Sequence, residues 1–477
     1  MSLKKNFLYN TIYQIFIILL PIITVPYVSR VLGPKGIGIY SYTDSYAQYF
    51  SLIGMIGISL YGNRQVAYNK KNKNQLTKEF WSIYGLQVIT ALTSFLVYIF
   101  IFVFINTNNR ILYLIQSIVV LTTIFDISWF FIGYEDMKNV VIRNTIVKIS
   151  GILSIFIFIK KPSDIIKYTF IMVIFNFLGQ VIMWINIKGK VNFYKPKLNE
   201  VFNHLKPSLS LFISQLAIQI YTLLDKTMLG YMSGAYEVGL YESSQKTIKL
   251  ALTLITSLGI VMLPRMSCLH SQGKKEEFNK LIYKAFSFVN FMSFPMVLGL
   301  IAVSNTFSNW FYGESFKGIG LLLKIGSILM IFIGWSNILG IQVMLPMKKE
   351  KQFTISVTVG AIINFILNLL FIKEFQANGT TVASVIAEFS VTAIQVYFLR
   401  KLIDVKSILK LTFKPLVGSI IMFLVLIFII PIFKIGVFWT LIEVIIGGAI
   451  YLIVMYILKD SFLEEGFNIV KTKFLKR

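Results

Sequence analysis

The chain has 477 residues, of which 56% are apolar and 14% are charged. Soluble globular domains are about 45–50% apolar and about 25% charged, so this composition excludes an ordinary soluble enzyme and predicts a polytopic membrane protein. Lys and Arg outnumber Asp and Glu by 46 to 21, and the formal charge of +25 favours cationic cytoplasmic loops over nucleic-acid binding in a chain this apolar.

Apolar runs long enough to cross a bilayer follow one another along the chain, since a spanning helix needs about 20 mostly apolar residues. They predict an all-α polytopic fold with about 14 transmembrane helices. The first run carries Pro21 and Pro26 and lacks a small-residue cleavage site, so a retained helix is predicted and not a signal peptide. The runs cover residues 8–29, 40–60, 80–105, 111–133, 143–160, 165–187, 208–231, 238–264, 283–304, 319–342, 353–372, 378–399, 412–432 and 436–458.

The loop cations predict the orientation. Placing the N-terminus in the cytoplasm puts most loop Lys and Arg residues on the cytoplasmic side, and the excess recurs loop by loop. Both termini are therefore predicted to be cytoplasmic. The loops are short, with the longest external one near 305–318, and no GxxxxGK[ST] motif occurs. Because there is no room for a nucleotide-binding domain, transport energy is predicted to come from an ion gradient.

Thiol and imidazole chemistry has few residues to work with. The chain has one cysteine and two histidines, and the sequence places His204 and His270 in polar loops away from the apolar runs. Cys268 alone is too little for a disulfide framework or a thiolate metal cluster. No metal site, no cofactor and no catalytic residue is predicted, so the chain is not expected to be an enzyme.

A sequence motif recurs in the two halves of the chain. The segment from Arg30 to Tyr40 reads RVLGPKGIGIY, and the segment from Gly230 to Tyr241 reads GYMSGAYEVGLY. Their shared Gly–aliphatic–Tyr ending is offset by 201 residues, and the same offset relates Arg64 to Arg265. Six spans separate the copies, which predicts two parallel, pseudo-symmetric six-helix bundles with a cavity between them.

This repeat sets the predicted domain boundaries. They are an N-terminal six-helix bundle (1–190), a cytoplasmic linker (191–207), a C-terminal six-helix bundle (208–402), and helices 13–14 with a cytoplasmic tail (403–477).

Polar side chains inside the spans point to a wet lumen. An intramembrane charge costs about 2.5–3.5 kcal/mol on insertion scales, so it normally faces protein or water. Polar residues recur at +3 or +4 spacing, which places them on one helix face. Bonding between helices explains any single residue equally well, but it does not need polar residues over several turns. The candidate substrate-binding residues are Arg30, Asp44, Gln48, Gln215, Gln219, Asp225, Lys226, Tyr241, Lys246 and Lys249.

Three carboxylates are candidates for ion coupling, namely Asp126, Asp225 and Glu388. A buried, hydrogen-bonded carboxyl group with a structural role is the equal alternative for each of them. Snorkelling is the more common explanation for a cation at a span end such as Arg30.

At these motifs the chain resembles the bacterial polysaccharide-unit flippases, oligosaccharide-lipid exporters of the superfamily that includes the multidrug and toxin extrusion transporters. The resemblance covers nearly the whole chain. It is densest at Arg30–Tyr40 and Asp126–Glu135, and it continues at Leu224–Gly230, Glu237–Tyr241, Leu263–Arg265 and Asn378–Glu388.

The resemblance implies transport of an undecaprenyl-diphosphate-linked sugar unit from the inner to the outer leaflet of the cytoplasmic membrane, for capsule or O-antigen assembly. It also implies contact between Arg30 and the diphosphate. The family often carries Arg where Lys226 stands, which argues against a bidentate grip at that position. The implied partners are the lipid-linked oligosaccharide, H⁺ or Na⁺, membrane lipids and the polysaccharide polymerase machinery, with no nucleic acid.

Other functions fit parts of the pattern. An ion-coupled small-molecule exporter has a similar fold, but Lys226, Lys246 and Lys249 favour an anionic head group over a cationic drug. A membrane polymerase or ligase acting on the same lipids would need a sizeable external loop with acid–base residues, which the predicted loops lack. A channel or scaffold would not need the repeat.

Overall fold

A computed structural model describes residues 3–105 and 108–464, and its side chains from residue 20 onward except at 137–139, 142, 213–215, 217, 218, 221, 258, 260 and 261. The fourteen predicted runs lie largely on helical residues within this part of the chain, but runs 40–60, 111–133 and 319–342 each cross a break between two helices. Eight described helical stretches are long and apolar enough to cross a membrane, and a ninth passes when the two bent halves of one helix are joined. The predicted all-α membrane fold is confirmed.

The contacts divide the chain into two compact units, Met1–Gly239 and Leu240–Arg477. The first unit holds nine helices over the described residues and the opening turn of a tenth. They are α1 (Leu3–Met55), α2 (Ile58–Asn69), α3 (Lys73–Ile99), α4 (Arg110–Phe125), α5 (Ser128–Gly133), α6 (Met137–Phe158), α7 (Ile165–Met183), α8 (Leu198–Phe202), α9 (Leu205–Ser233) and the start of α10 (Ala235–Ser271).

The second unit contains the rest of α10 and the helices that follow it. A π-helix, Asn337–Met344, continues α13. The helices are α11 (Lys275–Tyr312), α12 (Ile319–Ser327), α13 (Leu329–Ser336), α14 (Glu350–Leu399), α15 (Val405–Ile429) and α16 (Val437–Ile457).

The two longest helices each contain two predicted spans. α1 breaks at Gly33, whose φ of 65° and ψ of 176° are not helical. α14 breaks at Gln376, with φ of 51° and ψ of −129°. Glycine adopts a positive φ readily because it has no Cβ, whereas the Cβ of glutamine makes this conformation strained. These breaks separate run 8–29 from run 40–60, and run 353–372 from run 378–399.

The sequence repeat is also a repeat of backbone conformation. Gly234, which lies 201 residues after Gly33, separates α9 from α10 with φ of 88° and ψ of 174°. The corresponding values at Gly33 are 65° and 176°. Each motif copy therefore turns the chain in the same way before its next helix begins.

The two motif copies also contact each other inside the first unit. A Cβ built on Gly38 would lie 1.6 Å from the carbonyl oxygen of Ala235, and one built on Gly239 would lie 1.9 Å from the carbonyl oxygen of Pro34. Ala235 and Pro34 are themselves equivalent positions in the repeat. The contact is thus reciprocal, as at a two-fold interface, and each glycine is required because the backbones touch.

Each unit has its own buried apolar core. In the first unit, α2, α3 and α5 pack around Phe80, Trp129 and Phe130. In the second, Phe291 of α11 packs with Met422 of α15 and with residues of α16. α15 and α16, which follow the predicted twelve-span repeat, are therefore built into the core of the second unit.

Several predicted polar loops are shorter in the structure. α2 continues to Asn69, α10 continues to Ser271, and α11 begins at Lys275, so much of the predicted loops 61–79 and 265–282 is helical. On the other predicted side, α11 ends at Tyr312, inside the predicted loop 305–318. Hydropathy marks only the apolar part of a helix, whereas backbone hydrogen bonding extends it into polar sequence.

We expect Gly38→Ala and Gly239→Ala each to destabilise the protein by about 3 kcal/mol or more, because the new methyl group would overlap a backbone oxygen that cannot rotate away. The measurement is the thermal unfolding midpoint of the purified protein in detergent.

Gly448→Ala is the matched control, since a Cβ there meets nothing within 4 Å. An unfolding midpoint for Gly38→Ala equal to that of the control would show that the close contact does not exist.

Candidate functional site

Three tyrosines of α1 form one stripe in the first unit. Tyr42, Tyr46 and Tyr49 are spaced by four and three residues, which puts them on one helix face. The hydroxyl groups of Tyr42 and Tyr46 lie 3.0 Å apart. Tyr49 shares a 3.3 Å hydrogen bond with the hydroxyl of Thr227 on α9, and a Cβ on Gly230 would lie 2.1 Å from the Tyr42 ring. Gly230, which leaves room for the ring, and the Thr227 hydroxyl group thus allow α9 to pack closely against the stripe, along an α1–α9 seam.

Asp44 on α1 and Asp225 on α9 are acids of these two helices, and helical spacing places Asp44 on the face of α1 opposite the tyrosine stripe. Asp44 and Gln48 are one turn apart on α1, with the Gln48 amide 3.4 Å from the Asp44 carboxylate. On α9, Asp225 is 2% exposed, and the half-buried Lys226 follows it. Both Asp225 and Lys226 take part in side-chain interactions. The structure therefore places four of the predicted residues on two neighbouring helices. Two lie on α9, which packs against the stripe, and two lie on the opposite face of α1.

Three other predicted residues of the first unit contribute less to this seam. Arg30 is exposed at the end of the first segment of α1, and Gln219 is exposed two turns before Thr227. The side chain of Gln215 lies outside the described residues.

In the second unit, α10 carries an ion pair and a bridge to α14. Glu242 and Lys246 form a 3.4 Å salt bridge one turn apart. Tyr241 shares a 3.2 Å hydrogen bond with Ser384 of α14, and Glu388, one turn further along, is 7% exposed. Glu388 therefore lies one turn from the α10–α14 bridge. Lys249, by contrast, is exposed on α10.

Asp126 has a local partner. Its carboxylate accepts the backbone N–H of Ser128 at 2.9 Å, closing the break between α4 and α5. The amide of Gln87 donates to the Asp126 carbonyl at 2.9 Å, and the Trp129 indole donates to Gln87 at 2.9 Å. Such an Asx turn satisfies backbone groups that a broken helix leaves unpaired. This arrangement supplies the structural alternative to ion coupling at Asp126.

The remainder of the Asp126–Glu135 motif also joins helices. The Trp129 ring packs directly on Gly62, where an added Cβ would lie 2.5 Å from the ring. Likewise, a Cβ added to Gly133 would lie 2.4 Å from the carbonyl oxygen of Asn63. Glu135 forms a 2.8 Å salt bridge with Lys70. The motif thus anchors α5 to α2 and α3.

His204 lies in the turn between α8 and α9, in a loop as the sequence predicts, and its side chain is held by two partners. Its Nδ1 lies 2.8 Å from the Tyr61 hydroxyl, and its Nε2 lies 3.9 Å from the Glu79 carboxylate. Burial lowers the pKa of His204, although the Glu79 charge opposes this shift. Ser208, one turn into α9, donates to the Ile56 carbonyl at 2.8 Å. The start of α9 is therefore fastened to the junction of α1 and α2.

The predicted linker 191–207 is fastened to the first unit as well. Glu200 accepts from Lys78 at 2.8 Å and from the Tyr194 hydroxyl at 2.9 Å. The Lys78 ammonium, the Lys197 backbone N–H and the Tyr194 hydroxyl together hold the pKa of Glu200 at about 2. The Trp81 indole donates to the Asn192 carbonyl at 2.7 Å, so both ends of the linker pack on α3.

The tyrosine stripe is the feature that sequence reasoning missed. Tyr42, Tyr46 and Tyr49 have the same +4 and +3 spacing that identified the polar stripes, so the same count applied to phenol groups would have found them. No pattern in the sequence marks the His204 contacts, because Tyr61 and Glu79 are more than 120 residues away from it. Among the described residues, no cluster of three or more His, Cys, Asp or Glu side chains is arranged to hold a metal ion.

Comparison with known sequences gives a consistent set of relatives. The model of a family described as "Polysaccharide biosynthesis protein" matches residues 3–270. A protein named "Putative O-antigen transporter" from Escherichia coli (strain K12) is 26% identical over 412 residues, covering 84% of this chain and 97% of the relative. The "Lipid II flippase MurJ" of Bacillus subtilis (strain 168) is 24% identical over 206 residues, covering 40% of this chain and 37% of that protein.

Solved structures share the fold. The lipid II flippase MurJ in an inward closed conformation superimposes with a TM-score of 0.77 at 18% identity, covering 95% of this chain and 98% of the other. An inward-facing multidrug resistance transporter of the MATE family has a TM-score of 0.61 at 13% identity, covering 84% and 98%. At these identities the likeness concerns the fold.

We expect Asp126→Ala to lower the free energy of unfolding by about 1 kcal/mol, the net value of one hydrogen bond to a backbone N–H. Asp126→Asn should stay near the parent, because its amide oxygen still accepts from Ser128. The unfolding midpoint in detergent distinguishes the two variants. Equal losses for Asn and Ala would mean that the charge, and not the turn, is what matters at this position.

Proposed function

Since the chain belongs to the polysaccharide biosynthesis protein family, we propose that it flips lipid-linked oligosaccharide units from the inner to the outer leaflet of a bacterial cytoplasmic membrane. The unit is an undecaprenyl-diphosphate-linked repeat, delivered to the machinery that polymerises surface polysaccharide. The observation that carries this proposal is the α1–α9 seam, where the buried Asp225 and the half-buried Lys226 lie on α9 of a multi-pass fold. The names of the E. coli and B. subtilis relatives support the class of substrate.

The diphosphate sets the physical problem. An isolated ionised group costs tens of kcal/mol to bury in a dry, low-dielectric medium by Born estimates, so protein groups must replace its water. Lys226 in the first unit and Lys246 and Lys249 in the second carry charges of the required sign. Lys246 is paired with Glu242 but its side chain is still 43% exposed. Each of these lysines, and Arg30, is therefore a candidate contact of the anionic head group.

For the diphosphate to be released after transport, another anion must take its place as the partner of the cation. Asp225 directly precedes Lys226 on α9 and is almost fully buried. We assign to Asp225 the role of pairing with a cation that the leaving lipid vacates. A proton or a sodium ion competing for that carboxylate would return Lys226 to the next substrate. In this mechanism Asp225 resets the cation, and Glu388 is the second candidate for coupling to the ion gradient.

A small-molecule exporter is the alternative, because the MATE transporters share the fold. The two functions differ in what the tyrosine stripe and the cations would contact. A flippase presents them to sugar hydroxyls and to phosphate, whereas an exporter of cationic drugs has no use for Lys226, Lys246 and Lys249. Transport of a phosphate-free cationic dye at the rate of the lipid-linked sugar would favour the exporter.

The direct test reconstitutes the full chain into vesicles that carry a lipid-linked oligosaccharide with a labelled sugar. Exposure of the sugar to a membrane-impermeant, sugar-cleaving enzyme is followed over time, with protein-free vesicles as the blank. We expect the accessible fraction to rise only when the protein is present. An unchanged fraction, under several ion gradients and with folded protein, would contradict the proposal.

In this assay we expect Lys226→Ala, Lys249→Ala and Arg30→Ala each to reduce the flipping rate by about tenfold, equivalent to about 1.4 kcal/mol. Lys226→Arg should retain more activity than Lys226→Gln, because charge matters more here than shape. Lys373→Ala is the control, a cation at an exposed position of α14 near its break. Parental rates for all three alanine variants would show that these cations are structural.

Ion coupling has its own variants. Asp225→Asn and Glu388→Gln keep the shape of each side chain and remove its charge. A coupling residue should lose the dependence of flipping on the proton or sodium gradient while still binding substrate. A residue that only bonds its neighbours should keep that dependence.

We also propose that both termini are cytoplasmic. After Cys268→Ser, we expect Lys71→Cys and Gln272→Cys to resist an impermeant thiol reagent in intact cells, and Asn108→Cys to react. Lys71 and Gln272 are chosen because Asn72 caps α3 and Gly273 has a φ of 69°. Labelling at 71 or 272 without labelling at 108 would show that the orientation is the reverse of the one proposed.

A further inference from the structure

The turn between α14 and α15 forms one wall of a shallow, open cavity of about 550 Å³. Its wall is formed by residues 400–406 and by Tyr283, which reaches it from α11. None of these residues belongs to the seam or to the α10–α14 bridge described above. The cavity is therefore a separate feature of the second unit, and it does not depend on the proposed flippase function.

Three cations line this cavity and are exposed, namely Arg400, Lys401 and Lys406. The acid on the same wall, Asp404, is already occupied. Its two carboxylate oxygens accept the Lys406 backbone N–H at 3.1 Å and the Ser407 hydroxyl at 2.6 Å. These hydrogen bonds, that of Ser407 first, hold the pKa of Asp404 below its usual range. The wall is left with a net positive charge and with an acid that is committed to the backbone of α15.

Two further groups are oriented by their neighbours. The backbone N–H of Asp404 donates to the Tyr283 hydroxyl oxygen at 3.0 Å. Because that oxygen serves as the acceptor, the phenolic proton of Tyr283 remains to be donated to a ligand. The Arg400 guanidinium lies over the Tyr397 ring, 4.1 Å from its centre, and a guanidinium held on a ring face can still donate from its N–H edge to an anion.

The surroundings of the cavity indicate where such an anion comes from. Tyr397 on α14 is 56% exposed, and Leu409 and Phe413 on α15 are 54% and 66% exposed. α15 begins a stretch, Val405–Ile432, that is long and apolar enough to cross a membrane. The cations therefore stand where the apolar surface of two helices ends, which is the depth of phospholipid head groups in a bilayer.

We propose that this cavity binds the phosphate of an anionic phospholipid head group. Arg400, Lys401 and Lys406 neutralise the phosphate, the Tyr283 hydroxyl donates to one of its oxygens, and the acyl chains lie along Tyr397, Leu409 and Phe413. A basic pocket at the membrane-facing end of spanning helices is a recognised arrangement for anionic lipids. Free phosphate has the same anionic chemistry as the head group, but it has no acyl chains to contact the apolar surface.

The test measures lipid binding to the purified full chain by native mass spectrometry in a neutral detergent. The probes are phosphatidylglycerol, phosphatidylcholine and inorganic phosphate. We expect the parent to bind phosphatidylglycerol at least about tenfold more tightly than phosphatidylcholine. The triple variant Arg400→Gln, Lys401→Gln, Lys406→Gln should lose that preference, and Tyr283→Phe alone should weaken binding by about threefold, as expected for one lost donor.

The matched control is Lys348→Gln, Lys349→Gln, Lys351→Gln, which removes the same charge from the turn before α14. It should bind phosphatidylglycerol within about twofold of the parent, since only diffuse attraction is lost. The proposal is overturned if the cavity variant binds like the parent, or if the control loses as much as the cavity variant. Displacement of the lipid by millimolar inorganic phosphate would assign the site to a free anion instead.

Unfolding midpoints without added lipid show whether each variant is folded. If the triple cavity variant is unstable, Lys401→Gln and Tyr283→Phe are compared singly with Lys349→Gln. Both cavity variants should then weaken phosphatidylglycerol binding while Lys349→Gln does not. Equal affinities among these three variants would overturn the proposal by this route as well.

Discussion

The first unit is organised by one steric constraint, the backbone contact between the two motif copies. At Gly38 and Gly239 the facing carbonyl groups come so close that even a methyl group has no space. The contact is reciprocal, so the second half of α1 and the start of α10 hold each other at the same positions of their motifs. Gly33 and Gly234 supply the matching turns that feed these helices into the contact.

The chemistry of the seam follows from that constraint. With the start of α10 held on α1, the preceding helix α9 lies along the tyrosine stripe, and Thr227 meets Tyr49. Asp225 is then buried two residues away from this hydrogen bond. A buried carboxylate on an apolar helix is expensive unless nearby groups stabilise it. Tyr49 and Thr227 place a phenol group and a hydroxyl group at this part of the seam.

Some of the most recognisable motif residues make contacts that hold the fold together. Asp126 closes a helix break, Trp129 is held by Gln87, and Glu135 pairs with Lys70. These contacts join α4, α5 and the end of α2. Hydropathy alone predicts α4 and α5 as the single span 111–133, and it predicts most of α2 as part of the loop 61–79. A motif that marks a family is therefore not by itself evidence of a binding site. The side-chain partners decide which role each residue has.

Much of this protein was determined by its sequence alone: its all-α membrane fold, the positions of most apolar helical segments, the 201-residue repeat and the candidate polar positions. These properties are local, because a span needs about 20 apolar residues in a row and a stripe needs only helical spacing. Only the tertiary structure decided which side chains meet. Hydrogen bonds join Tyr49 to Thr227, His204 to Tyr61, and Tyr283 to Asp404. Each partner lies more than a hundred residues away, and packing between helices brings them together, which hydropathy and spacing along one helix do not encode.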